Sequence, residues 1–146
     1  MPDPVLNIEN FRKLRERIAA EPDSAFYMPA FITSREGCGT AACMAGFCGM
    51  MVFDQKFSDP YPVVADLISE RTGHPEGVHR LPDIARDFLG LTRRQADELF
   101  YYQSWENAAD QGASLYPEKS DALRLLSKII ATGQFHDWYS CWDGRR

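Results

Sequence analysis

Every residue from Gly37 to Phe53 is uncharged, and small side chains recur throughout that stretch. Its centre reads Cys38-Gly39-Thr40-Ala41-Ala42-Cys43-Met44-Ala45-Gly46-Phe47-Cys48-Gly49-Met50-Met51. Such a segment is expected as a helix over about 40–53, buried on nearly all sides, with Thr40 as its N-cap. Ala41, Ala45 and Gly49 recur at four-residue steps, as do Ala42 and Gly46, so one face admits a neighbour close to the backbone. Met44, Phe47 and Met51 supply bulk on another face. A glycine inside a helix costs about 0.5–1 kcal/mol against alanine, which close packing is expected to offset. The stretch is shorter than the roughly 20 apolar residues needed to span a bilayer, so a buried helix of a soluble domain is expected.

Other helices follow from local signals. Asn7 can cap a first helix whose apolar stripe is Ile8, Phe11, Leu14 and Ile18. Pro22 and Pro29 bracket a loop, with Phe26, Tyr27 and Phe31 near it as covers for the core. A third helix is expected after Pro60 and Pro62, carrying Val63, Val64, Leu67 and Ile68 and ending at Gly73. Residues 74–80 read as a loop. Pro82 suits the first turn of a fourth helix bearing Leu81, Ile84, Ala85, Phe88 and Leu89, closed by Gly90. Thr92 and Gln95 form a capping box for a fifth helix to about Tyr102, with Ala96, Leu99 and Phe100 inward. Gln103 to Tyr116 reads as a polar connection. Pro117 opens a last long helix, with Leu123, Leu126, Ile129 and Ile130 buried, and Gly133 ends it. No stretch alternates as a convincing strand; Gln134 to Tyr139 is the one segment suited to pair as a short one.

The expected fold is therefore all-α: one compact domain over 1–146, a bundle of about five to six helices around the 40–53 helix. A length of 146 residues suits one domain with a real core. Hydrophobic content of 45% and charged content of 25% fit a soluble globular protein. The net charge of −5 argues against a general binder of nucleic acid or anionic membrane, which neutralises phosphates with basic side chains. Met-Pro-Asp-Pro-Val at the start is not a secretory signal, and four cysteines are too sparse for a disulfide scaffold, so reduced thiols in a cytoplasm are expected.

Chemistry has few candidates. Cys38, Cys43 and Cys48 stand five apart, which on a helix turns successive sulfurs by roughly 140°. Zinc sites use closer pairs, so small buried side chains are expected, with no metal and no cofactor. An alternative thiol site at Cys38 and Cys43 remains, because a helix N-terminus lowers a thiol pKa while apolar surroundings raise it. His74, His79 and His136 are available partners, and His136-Asp137 is a conceivable acid–base pair. Residues 82–102 have the outline of a helix-turn-helix, with Arg93, Arg94 and Gln95 opening the second helix where base contacts would lie. Asp83, Asp87, Asp97 and Glu98 place acid where phosphates would approach. Tyr101, Tyr102, Trp105, Trp138, Tyr139 and Trp142 are many large rings near two irregular segments. Exposed together they would form a protein-binding patch, here assigned to Tyr101, Tyr102, Trp105, Trp138 and Trp142; buried, they would close the base of the core.

The string Cys38-Gly39-Thr40-Ala41-Ala42-Cys43-Met44-Ala45-Gly46-Phe47 resembles a CGT-x-AC-x-AGW signature of small bacterial and phage proteins that have no established biochemical role. Segments like Phe88-Leu89-Gly90-Leu91 and Ala96-Asp97-Glu98-Leu99-Phe100 follow in those proteins, then a tryptophan, as at Trp105. The likeness runs in order from about Leu6 to Gly133, and Phe47 departs from the usual tryptophan. It implies a phage- or prophage-associated cytoplasmic setting and carries over no catalytic residues. The expected role is a non-enzymatic accessory protein that binds another protein, one version being an inhibitor of a host defence complex. A cysteine- or metal-dependent enzyme and a DNA-binding regulator are the alternatives.

Overall fold

In a computed structural model, residues 5–28, 30–34, 39–100 and 117–138 are described. They are predominantly helical, all-α in class, with one two-stranded hairpin. Helix α1 spans Ile8–Ala20 and buries Phe11, Leu14 and Ile18. Asn7 caps it as expected, its Oδ1 accepting from the Asn10 N–H at 3.0 Å. A 3-10 turn at Asp23–Ala25 leads to β1, Ile32–Ser34, and β2, Thr40–Ala42. Next come α2, Met44–Val52, and α3, Tyr61–Thr72. A second 3-10 turn, Gly77–Arg80, runs into α4, Leu81–Leu89. Helices α5, Arg93–Phe100, and α6, Lys119–Thr132, complete the described order.

The main correction concerns Thr40. It does not cap the central helix; it opens β2, paired antiparallel with β1 in the register Ile32 to Ala42, Thr33 to Ala41 and Ser34 to Thr40. The Thr40 N–H donates to the Phe57 carbonyl at 3.0 Å, and its hydroxyl donates to the Asp59 carbonyl at 3.0 Å. The hydroxyl thus pins the loop after α2 rather than a helix end. The helix starts later, with Cys43 as N-cap, extended at φ −77° and ψ −178°. Residues 134–138 form no strand.

From Met44 to Met50 every residue of α2 is buried. The expected role of the small residues holds for the two glycines on this helix. A Cβ at Gly46 would stand 1.7 Å from the Phe31 carbonyl oxygen, and one at Gly49 would stand 2.2 Å from Leu81 Cδ2. The loop before β1 therefore lies against the first turn of α2, and α4 crosses its middle. The Cys43 N–H donates to the Ala30 carbonyl at 3.0 Å and fixes the first approach. Ala41 and Ala42 belong to β2 and not to the helix, and Phe26 bridges to Ala42 from the other side. The Phe47 ring stacks at 4.1 Å on Phe57 and at 6.0 Å on Phe26, and Arg17 lies over the outer face of Phe57 at 5.4 Å.

Two further locks close the bundle around α2. The end of α4 meets the start of α1: Leu89 and Phe88 carbonyls accept from the Asn7 N–H and the Asn10 side-chain amide, at 2.8 and 2.7 Å. Those carbonyls lack partners inside α4, so the contact satisfies them. Gly90 stands at φ +71°, and a Cβ there would meet the Val5 carbonyl at 2.0 Å, so geometry and space both demand glycine. At the other end, Lys119 Nζ donates to the Glu21 carbonyl at 2.7 Å, joining the start of α6 to the end of α1. Helix α6 is capped by Glu118 and Asp121 reciprocally and starts two residues after Pro117.

Thr40→Val keeps shape and removes the donor to Asp59. A loss of about 1 kcal/mol is expected in urea unfolding, from one buried hydrogen bond. Amide exchange should quicken in residues 55–59 while α2 stays protected; fraying of α2 instead would restore the capping role.

Candidate functional site

The first candidate is the thiol pair on α2. Cys43 and Cys48 are free and fully buried. Burial pushes the Cys43 thiol up from its ordinary 9.0 to about 11, and hydrogen bonding from the backbone of Gly46 and Ala45 at the helix start offsets only part of that. Of the two opposing effects at a capping cysteine, desolvation outweighs the helix terminus. Cys48 is raised well above its ordinary value, first by burial and then by the nearby Cys43. Cys38 lies outside the described residues. Among the described residues no three His, Cys, Asp or Glu side chains gather as a metal-holding group.

These shifts carry a pH dependence with a definite sign. Between about pH 9 and 11 the unfolded chain releases the Cys43 proton and the folded one keeps it. The thiol's contribution is complete below the unfolded value and is lost as pH rises through the folded one, at about 1.4 kcal/mol per unit. The unfolding free energy from urea titrations should therefore fall more from about pH 8 to about pH 10.5 in the wild type than in Cys43→Ala, by roughly 2 kcal/mol. Equal slopes would mean that the thiol titrates normally.

The second candidate is the α4–α5 hairpin. Its capping box forms as expected: the Gln95 side-chain oxygen accepts from the Thr92 N–H at 2.9 Å, and the Thr92 hydroxyl accepts from the Gln95 N–H at 3.1 Å. Gln95 is thereby engaged with its own helix end, although adenine readout needs its amide free. Arg94 lies 3.4 Å from Glu98, and Arg86 lies between Asp83 and Asp87. Among the described residues, only Arg93 of the three expected base-reading residues has neither tie.

Among the described residues His136 pairs with no thiol. Its Nε2 lies 2.9 Å from the Thr132 hydroxyl, which itself donates to the Lys128 carbonyl at 2.8 Å. That arrangement closes the end of α6.

The aromatic patch needs correction at its one described member. Trp138 is fully buried, and its indole N–H donates to the Leu99 carbonyl at 3.0 Å. It closes the core against the end of α5 and is not an exposed docking residue. Tyr101, Tyr102, Trp105 and Trp142 lie outside the described residues.

Two clefts adjoin across Met28, and neither was anticipated. One, of about 650 Å³, lies between the Asp23–Ala25 turn and the start of α6, with Tyr27 and Leu123 on its walls. The other, of about 670 Å³, lies between Met28 with residues 30–32 and α3. Met28, Ile32 and Phe100 give it a buried apolar floor. Asp66, Glu76 and His79 stand exposed on its rim. Nothing local marks these residues, because the cleft arises where segments far apart in sequence meet.

No helix among the described residues is long and apolar enough to cross a membrane. Comparison with protein-family models, with curated proteins and with solved structures returns no match.

Proposed function

We propose that this chain is a small, non-enzymatic, phage- or prophage-associated accessory protein that acts in the cytoplasm by binding another protein. Inhibition of a host defence complex is one form of that role. The observation that carries the reading is the contact of Gly46 with the Phe31 carbonyl. It gives the distinctive small-residue motif a packing reason and leaves Cys43 and Cys48 buried. The acidic net charge of −5 and the open apolar clefts further favour a protein over a nucleic acid as partner.

The test is in-cell cross-linking of the full chain in a bacterial host, followed by reconstitution from purified components. A single protein that re-forms a saturable complex is expected. Failure to reconstitute any complex, together with salt-sensitive nucleic-acid binding or thiol-dependent turnover, would overturn the reading.

A further inference from the structure

We propose that the cleft between Met28 with residues 30–32 and α3 holds a short segment of a partner protein in which an apolar side chain is flanked by lysine or arginine. This rests on the protein-binding reading above and names the chemistry of the partner's contact. The volume of about 670 Å³ falls in the ordinary range for sites that enclose a bound group. Its floor of Met28, Ile32 and Phe100 suits an aliphatic or aromatic side chain and offers a charged one nothing.

The rim sets the sign of what flanks that side chain. Some acids elsewhere on this surface are matched locally, Glu21 with Arg17, Asp23 with Lys119, Asp83 and Asp87 with Arg86, and Glu98 with Arg94, while others such as Glu16 and Glu70 have no ion pair among the described residues. Asp66 and Glu76 have no ion pair among the described residues. No described lysine or arginine lines the cleft, and His79 is the one lining group there able to take positive charge. Two unmatched carboxylates beside an apolar floor complement a basic-flanked apolar segment and repel an acidic one.

The test uses the full-length protein and a random peptide library displayed on yeast. Enrichment of sequences with an aromatic or aliphatic residue flanked by lysine or arginine is expected. Their amide-shift footprint should centre on Ala65, Ser69 and Val78. Asp66→Lys combined with Glu76→Lys should weaken them by about tenfold or more, a loss that added salt mimics in the wild type. Both side chains are exposed, so the double variant keeps its fold. Enrichment of acidic sequences, equal binding to the double variant, or self-association that occludes the cleft would overturn the proposal. If a reconstituted partner binds the double variant undiminished, the cleft assignment fails and the protein-binding reading survives. If no partner complex forms at all, that reading fails first.

Discussion

Gly46→Ala is expected to be severely damaging, costing more than about 3 kcal/mol and leaving little folded protein at physiological temperature. Added bulk in a packed core usually costs about 1–3 kcal/mol because side chains give way. Here the obstacle is backbone: the new Cβ would meet the Phe31 carbonyl oxygen at 1.7 Å and Ala42 Cβ at 2.7 Å. Neither yields easily, since the Ala30 carbonyl is bonded to Cys43 and Ala42 is held by β1 on one side and by Phe26 and Tyr27 on the other. The gain in helix propensity, about 0.5–1 kcal/mol, is too small to compensate. Gly133→Ala is the control. Its φ is +68° and nothing lies within 4 Å of a new Cβ, so only the left-handed strain of roughly 1–2 kcal/mol is expected. Equal losses for the two variants would mean that α2 and the residue 30–31 segment are not in close contact.

Trp138→Ala should cost about 3–5 kcal/mol, as expected for a large buried aromatic. The indole is fully buried and bonded to the Leu99 carbonyl at the end of α5. Trp138→Phe keeps most of the ring and loses the donor, so about 1–2 kcal/mol is expected for it. The emission removed by Trp138→Phe should be blue-shifted, as for an indole shielded from water. A near-neutral Trp138→Ala, with red-shifted emission lost, would return this residue to the surface and revive its docking role.

What the sequence made legible was local. Asn7, the Thr92–Gln95 box and the glycines at 73, 90 and 133 each bond or turn within a few residues, so the ends they mark can be read directly. The depth of α2 was legible too, because an uncharged small-residue run has few other places to go. The hairpin was not. Its strands are three residues long, and Thr40–Ala42 is buried on both sides, so no alternation exists to detect. Thr40 looked like a helix cap because a threonine before an apolar run is one locally. Its actual partners, the carbonyls of Phe57 and Asp59, lie well beyond the reach of a local rule. Trp138 was ambiguous for the same reason: burial depended on whether α5 stood above it. The α3 cleft left no trace, since it is a gap between distant segments.

Residues 39–49 act as a packing device in which Cys43 and Cys48 serve as buried core side chains. The most direct measurement is residue-resolved alkylation of the native full-length protein near neutral pH, read by peptide mass spectrometry. Cys43 and Cys48 should remain unmodified until denaturant is added, because both are buried and Cys43 holds its proton to about pH 11. Rapid modification of Cys43 in the folded protein would contradict the claim and make the thiol the place to look for activity.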